Sequence, residues 1–167
     1  MLRGWSRFDL GEHDEGLAEI RQSIGALEAA GAPVWVQFAR YLLAQALAVG
    51  DQTLEAMDVI NLTLAEVSGT SGRWYEAELH RLKGDLFARQ CNASAANRSY
   101  EAAVSVSVRQ GARLLQLRAT NSLASLWRAQ GQIAEIRSRL APLYESFDRA
   151  AMTMDLREAR TLLRDAA

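Results

Sequence analysis

The feature that most restricts how this chain can fold is a recurrence at intervals of forty residues. Small residues stand at Gly4, Ala44, Gly84 and Ala124, and each precedes a break in the hydrophobic pattern by about two helical turns. The breaks are Gly11, Gly50-Asp51, Cys91-Asn92 and Gly131. Three residues beyond the last three small positions lie Leu47, Phe87 and Trp127, on the same helical face, while the looser first copy offers Arg7 and then Phe8. A second stripe repeats in the other half of the unit. Leu17, Ile20, Ile24 and Leu27 are followed forty residues later by Met57, Ile60, Leu64 and Val67, a 3-4-3 spacing that lines one side of a helix. A third pass gives Tyr100 and Val104 with weaker ends at Asn97 and Ser107, and a fourth gives Leu140, Tyr144 and Phe147 with Ile136 alongside.

The pattern predicts helices over residues 1–10, 12–30, 33–49, 52–68, 73–90, 93–110, 113–130, 132–147 and 155–165. Gly31-Ala32-Pro33, Ser68 to Gly72, and Gly111-Ala112 are short turn-forming links that suit antiparallel neighbours. No segment reads as a strand, and Val104 to Val108 falls inside a helix-period stretch. One helix pair cannot bury its own apolar face, so stacked pairs must cover one another. The expected fold is therefore all-α: a right-handed superhelix of antiparallel helix pairs of the tetratricopeptide (TPR) kind. It forms a single domain over 1–167, with units near 1–31, 32–71, 72–111 and 112–151 and a capping helix at 155–165. These units are longer than the standard repeat of about 34 residues. The first helix is too short to cap the stack, which leaves the stripe of helix 12–30 partly uncovered and predicts pairing with a second copy through the N-terminal helices.

Composition narrows the function. A hydrophobic content of 49% supplies a continuous core. The formal net charge of -1, from 19 basic and 20 acidic residues interspersed along the chain, leaves no surplus positive field for nucleic acid. No apolar leader opens the sequence, and every hydrophobic stretch is interrupted before the roughly 18 residues a membrane span needs, so a soluble cytoplasmic chain is expected. Cys91 is the only cysteine, which rules out an internal disulfide and a multi-thiolate metal site.

In a superhelix of this kind the first helix of each pair lines the groove. Counting from the small residue of each unit places Phe38, Tyr41 and Gln45, then Glu78, Arg81 and Asp85, then Arg118, Asn121 and Ser125 on that surface. An aromatic platform with two arginines and two carboxylates suits an extended peptide or a partner helix, unlike the basic clamp of chaperone-binding TPR domains. The competing reading is that these charges pair within and between helices. No catalytic, cofactor or metal site is expected. Trp74 reads as core, and Glu76 with His80 as a local contact rather than an acid-base couple. His13 among Glu12, Asp14 and Glu15 reads as a helix start that favours acidic residues, Cys91 as a helix break, and Gly69 to Gly72 as a link rather than an anion cradle.

The run Trp74-Tyr-Glu-Ala-Glu-Leu-His-Arg-Leu-Lys-Gly-Asp-Leu86 closely resembles a signature in the C-terminal TPR-like region of large bacterial adenylate/guanylate cyclases that carry AAA-type or STAND-type ATPase modules. Related regions occur in ATPase-containing transcriptional regulators. Gly4-Trp5, Gly11 and Glu15 to Gln22 resemble the preceding repeat, Leu123 to Gly131 the following one, and Thr153 to Ala159 the closing helix. The glycine and phenylalanine usual upstream of that helix are replaced around Ala151 and Met152. The resemblance implies a regulatory, partner-binding arm, with a metabolite sensor in the groove between Tyr41 and Arg118 as the alternative. It brings no catalysis, because neither the cyclase's metal-binding aspartates nor a Gly-x-x-x-x-Gly-Lys-Ser/Thr phosphate loop is present.

Overall fold

A computed structural model describes residues 1–67, 73–148 and 153–166, and the described residues form helices and turns with no strand. The helices are α1 (Leu2–Asp9), α2 (His13–Ala29), α3 (Pro33–Val49), α4 (Thr53–Val67), α5 (Glu76–Arg89), α6 (Ala93–Arg109), α7 (Arg113–Ala129), α8 (Ile133–Glu145) and α9 (Met154–Asp165). None is long and apolar enough to cross a membrane. The link from Ser68 to Gly72 and the replacements at Ala151 and Met152 lie outside the described residues.

A twenty-residue rhythm of backbone turns sets the helix lengths. Glu12, Ala32, Gln52, Asn92, Ala112 and Gln132 each donate their N–H to the carbonyl five residues back, at 2.8–3.0 Å. The residue just before each is left-handed: Gly11, Gly31, Asp51, Cys91, Gly111 and Gly131 have φ between 59° and 94°. This is the Schellman arrangement, which satisfies the last carbonyls of a helix and reverses the chain. At Glu12, Ala32, Gln52, Asn92 and Ala112 the same residue also accepts the first hydrogen bond of the next helix. So short a link leaves consecutive helices no choice but to run antiparallel. Pro33, with φ already fixed, opens α3, and the side chains of Asn92 and Thr153 cap α6 and α9 by accepting from the N–H groups of Ala95 and Leu156.

Each helix packs on the next, and each odd-numbered helix also touches the next odd one. The small residues permit this closeness. A Cβ on Gly16 would lie 2.7 Å from the backbone nitrogen of Phe8, and one on Gly84 would lie 2.4 Å from the Tyr100 ring. Ile20, Ile60 and Leu140 are fully buried and Tyr100 nearly so, as the forty-residue stripe requires. Ile24 and Leu27 are only half-buried, because α1 has just 8 residues with which to cover the 17 of α2. The apolar core falls into two clusters. One joins Phe8 of α1 to Leu86 of α5, and the other joins Ala96 of α6 to Ala166 after α9.

Trp74 departs from the core role its sequence context suggests. α5 begins at Glu76, three residues later than expected, so Trp74 lies in the preceding turn and is 43% exposed. Tyr75 takes the inner place, with its ring against Phe38 and Tyr41.

Candidate functional site

The odd-numbered helices share a polar ladder. Tyr41 of α3 donates to Glu78 of α5 at 3.2 Å, Arg118 of α7 forms a two-bond pair with Asp155 of α9 at 3.0 Å, and Arg128 donates to Asp165 at 2.9 Å. These three pairs are 37 residues apart, three short of the repeat, whereas Glu78 of α5 meets Arg118 of α7 at the full forty. Asn121 uses its Nδ2 twice, donating to the carbonyl of Asp155 at 2.8 Å and to Glu158 at 3.5 Å.

Glu78 is the hub, only 1% exposed. It accepts from Tyr41, from Arg81 at 3.3 Å and from Arg118 at 3.3 Å, so one carboxylate ties α3, α5 and α7 together. Arg81 also donates to Asp85 at 2.8 Å, whose other oxygen accepts from Tyr100 of α6 at 2.8 Å. Burial disfavours the charge on Arg81, but Glu78 and Asp85 outweigh it and hold the guanidinium more firmly protonated than usual. The Asp155 hydrogen bonds do the same for Arg118. Burial pushes the Asp85 carboxyl above its ordinary range despite Arg81, and it pushes the phenols of Tyr41 and Tyr100 up as well. Such a network is costly to desolvate and tolerated because its charged groups are paired, although the buried Oδ1 of Asn121 has no donor among the described residues.

Of the nine residues the sequence places on this surface, Tyr41, Glu78, Arg81, Asp85, Arg118 and Asn121 are joined in the ladder. Phe38 is half-buried and leans on the rings of Tyr75 at 5.1 Å and Trp74 at 6.1 Å. Gln45 and Ser125 are half-buried on the same helices, and neither side chain hydrogen-bonds to another described residue. The charges thus pair within and between helices, and the parts left for a partner are Gln45, Ser125, the outer edge of Phe38 and Arg118, which is 36% exposed. Sequence reasoning missed Asp155 and Tyr100 as members. Asp155 lies 37 residues beyond Arg118, off the forty-residue register, and Tyr100 reaches Asp85 only 15 residues back, so the repeat signals neither.

Elsewhere the candidate groups have ordinary partners. Glu76 accepts two bonds from Arg73, at 2.7 and 2.8 Å, which lowers its carboxyl pKa, while burial lowers that of His80. His13 stacks on Phe8 with ring centroids 4.6 Å apart. Cys91 is exposed in its turn. No group of His, Cys, Asp and Glu among the described residues is arranged to hold a metal ion. No protein-family model and no curated protein matches this chain.

Proposed function

We propose that this chain is a non-catalytic interaction module, a right-handed TPR-like superhelix that serves as a regulatory arm of a cytoplasmic nucleotide cyclase or signalling ATPase. The observation that supports it best is the ladder itself, whose rungs join α3 to α5, α5 to α7 and α7 to α9 and so tie the odd-numbered helices into one continuous surface. A stiff, pre-ordered face binds an extended peptide or a partner helix at little conformational cost. Its titratable groups are engaged with one another rather than poised for reaction. The metabolite-sensor reading is less favoured, because Tyr41 and Arg118 already spend hydrogen bonds on Glu78 between them.

Gln45 and Ser125 test the reading without touching the ladder. Peptides drawn from the output domains of cyclases and signalling ATPases are screened for binding to the wild-type chain and to Gln45→Glu/Ser125→Glu. Weakening of roughly tenfold or more with an unchanged melting temperature supports a groove partner. Identical binding by both proteins rejects it. Self-association through α1 and α2 is part of the same proposal, resting on Leu2 at 60% and Leu10 at 81% exposure beside half-buried Ile24 and Leu27. Light scattering that finds only monomer across the accessible concentration range would remove that part.

A further inference from the structure

A cavity of about 350 Å³ opens between the C-terminal ends of α2 and α4 and the first turns of α3, away from the ladder. Its polar lining is unbalanced. Arg40, whose side chain is 12% exposed, donates to Glu28 at 2.7 Å and to Glu66. Each carboxylate gives one oxygen to Arg40, and about half of each glutamate side chain stays exposed, 48% and 52%. Two carboxylates against one guanidinium leave the lining with one uncompensated negative charge.

Gln37, which also lines the cavity, supplies an independent observation. It is 7% exposed, and its Oε1 accepts no hydrogen bond from any described residue. A buried amide oxygen without a donor carries its full desolvation penalty, and native folds rarely keep one without a use. The fold itself does not call for an amide here, since the same register position holds Ala77 and Leu117 in the next two units, both buried.

We infer that this cavity is a binding site for an alkylammonium or alkylguanidinium group. The cation takes the free oxygens of Glu28 and Glu66 and brings the lining to neutrality. One of its N–H groups satisfies Gln37, whose amide turns about its last torsion to meet it. The methylenes of the ligand lie against Ala32, Pro33 and Val36, and Arg40 acts as a positioning residue that fixes both carboxylates. A free amine and the lysine side chain of a partner protein carry the same chemistry.

The test uses the full chain labelled with ¹⁵N and titrated with n-butylammonium, with uncharged 1-butanol, and with the blocked tripeptide N-acetyl-glycyl-lysyl-glycine amide. Saturable shifts of the backbone amides from Gly31 to Gln37 and of the Gln37 side-chain amide are expected with a charged probe, and 1-butanol binds roughly tenfold more weakly or worse. Gln37→Leu should melt at a higher temperature, because the orphaned oxygen is gone, and yet bind the charged probe roughly tenfold more weakly. Glu66→Gln, at a half-exposed position that leaves folding intact, should weaken binding as well. A stronger response to n-butylammonium assigns a free amine, and a stronger response to the tripeptide assigns a partner's lysine. Absence of saturable shifts with both charged probes, or wild-type affinity in Gln37→Leu or in Glu66→Gln, overturns the site.

Discussion

Cys91 sits in a backbone conformation that its side chain resists. Its φ of 59° is shared with Asp51, whereas glycine fills the equivalent turns at 11, 31, 111 and 131. The thiol is exposed and gives up no packing if removed. Cys91→Gly should therefore raise the unfolding free energy by about 1 kcal/mol, the cost of a left-handed residue with a Cβ. Urea denaturation with an unchanged midpoint would contradict this. Gly84 presents the opposite case. Alanine is the better helix former by about 1 kcal/mol, yet its methyl would meet the Tyr100 ring at 2.4 Å, and that ring is pinned by Asp85. Overpacking at such a site costs about 1–3 kcal/mol, so Gly84→Ala is destabilising. The same register positions hold Ala44 with Ile60 and Ala124 with Leu140. Gly84→Ala/Tyr100→Leu should accordingly recover most of the loss, and a double-mutant cycle with no coupling would show that the two residues do not share the space.

Between helices, the ladder makes stability depend on alkaline pH. Burial raises the phenol pKa values of Tyr41 and Tyr100 above the ordinary 10.0. A folded pKa above the unfolded one contributes stability that is complete below pH 10 and is lost as the pH climbs from there toward the folded value. Urea midpoints measured over roughly pH 8–12 should fall on the alkaline side. Tyr41→Phe/Tyr100→Phe should start lower, for want of two hydrogen bonds, and fall less steeply; parallel curves would place the alkaline loss elsewhere. The elements themselves were legible in the sequence because apolar spacing and turn residues act locally. Among the described residues, Gly11, Gly31, Gly111 and Gly131 mark four of the six left-handed turns, and the stripe through Ile20, Ile60, Tyr100 and Leu140 marks the buried face. Counting by forty also found six of the ladder's residues. It did not find most of their pairing, because Tyr41 and Arg118 reach residues 37 positions on, set by where the side chains extend between helices, and only Glu78 with Arg118 pairs at the full forty. The late start of α5, which left Trp74 in a turn, was hidden for a similar reason: tyrosine and tryptophan side by side serve equally well as the inward residue.

At the scale of the whole chain, the two apolar clusters predict unequal response to local damage. α5 is shared between them, giving Leu79, Leu82 and Leu86 to the first and Phe87 and Ala88 to the second. Leu140→Ala, in the fully buried part of the second cluster, should cost about 2–5 kcal/mol. Native-state hydrogen exchange should show the loss across α6 to α9, with α1 to α4 keeping their protection. Uniform loss over all the helices would mean that the clusters unfold as one. The short turns bear on how the chain acquires this structure. Among the described residues the longest polar contact, from Arg89 to the carbonyl of Ala48, closes 41 residues, and most close fewer. Loops of that size are cheap to shut, which puts folding in the microsecond to millisecond regime of local topologies. A chain leaving the ribosome can thus complete its early hairpins while its final helices are still unwritten.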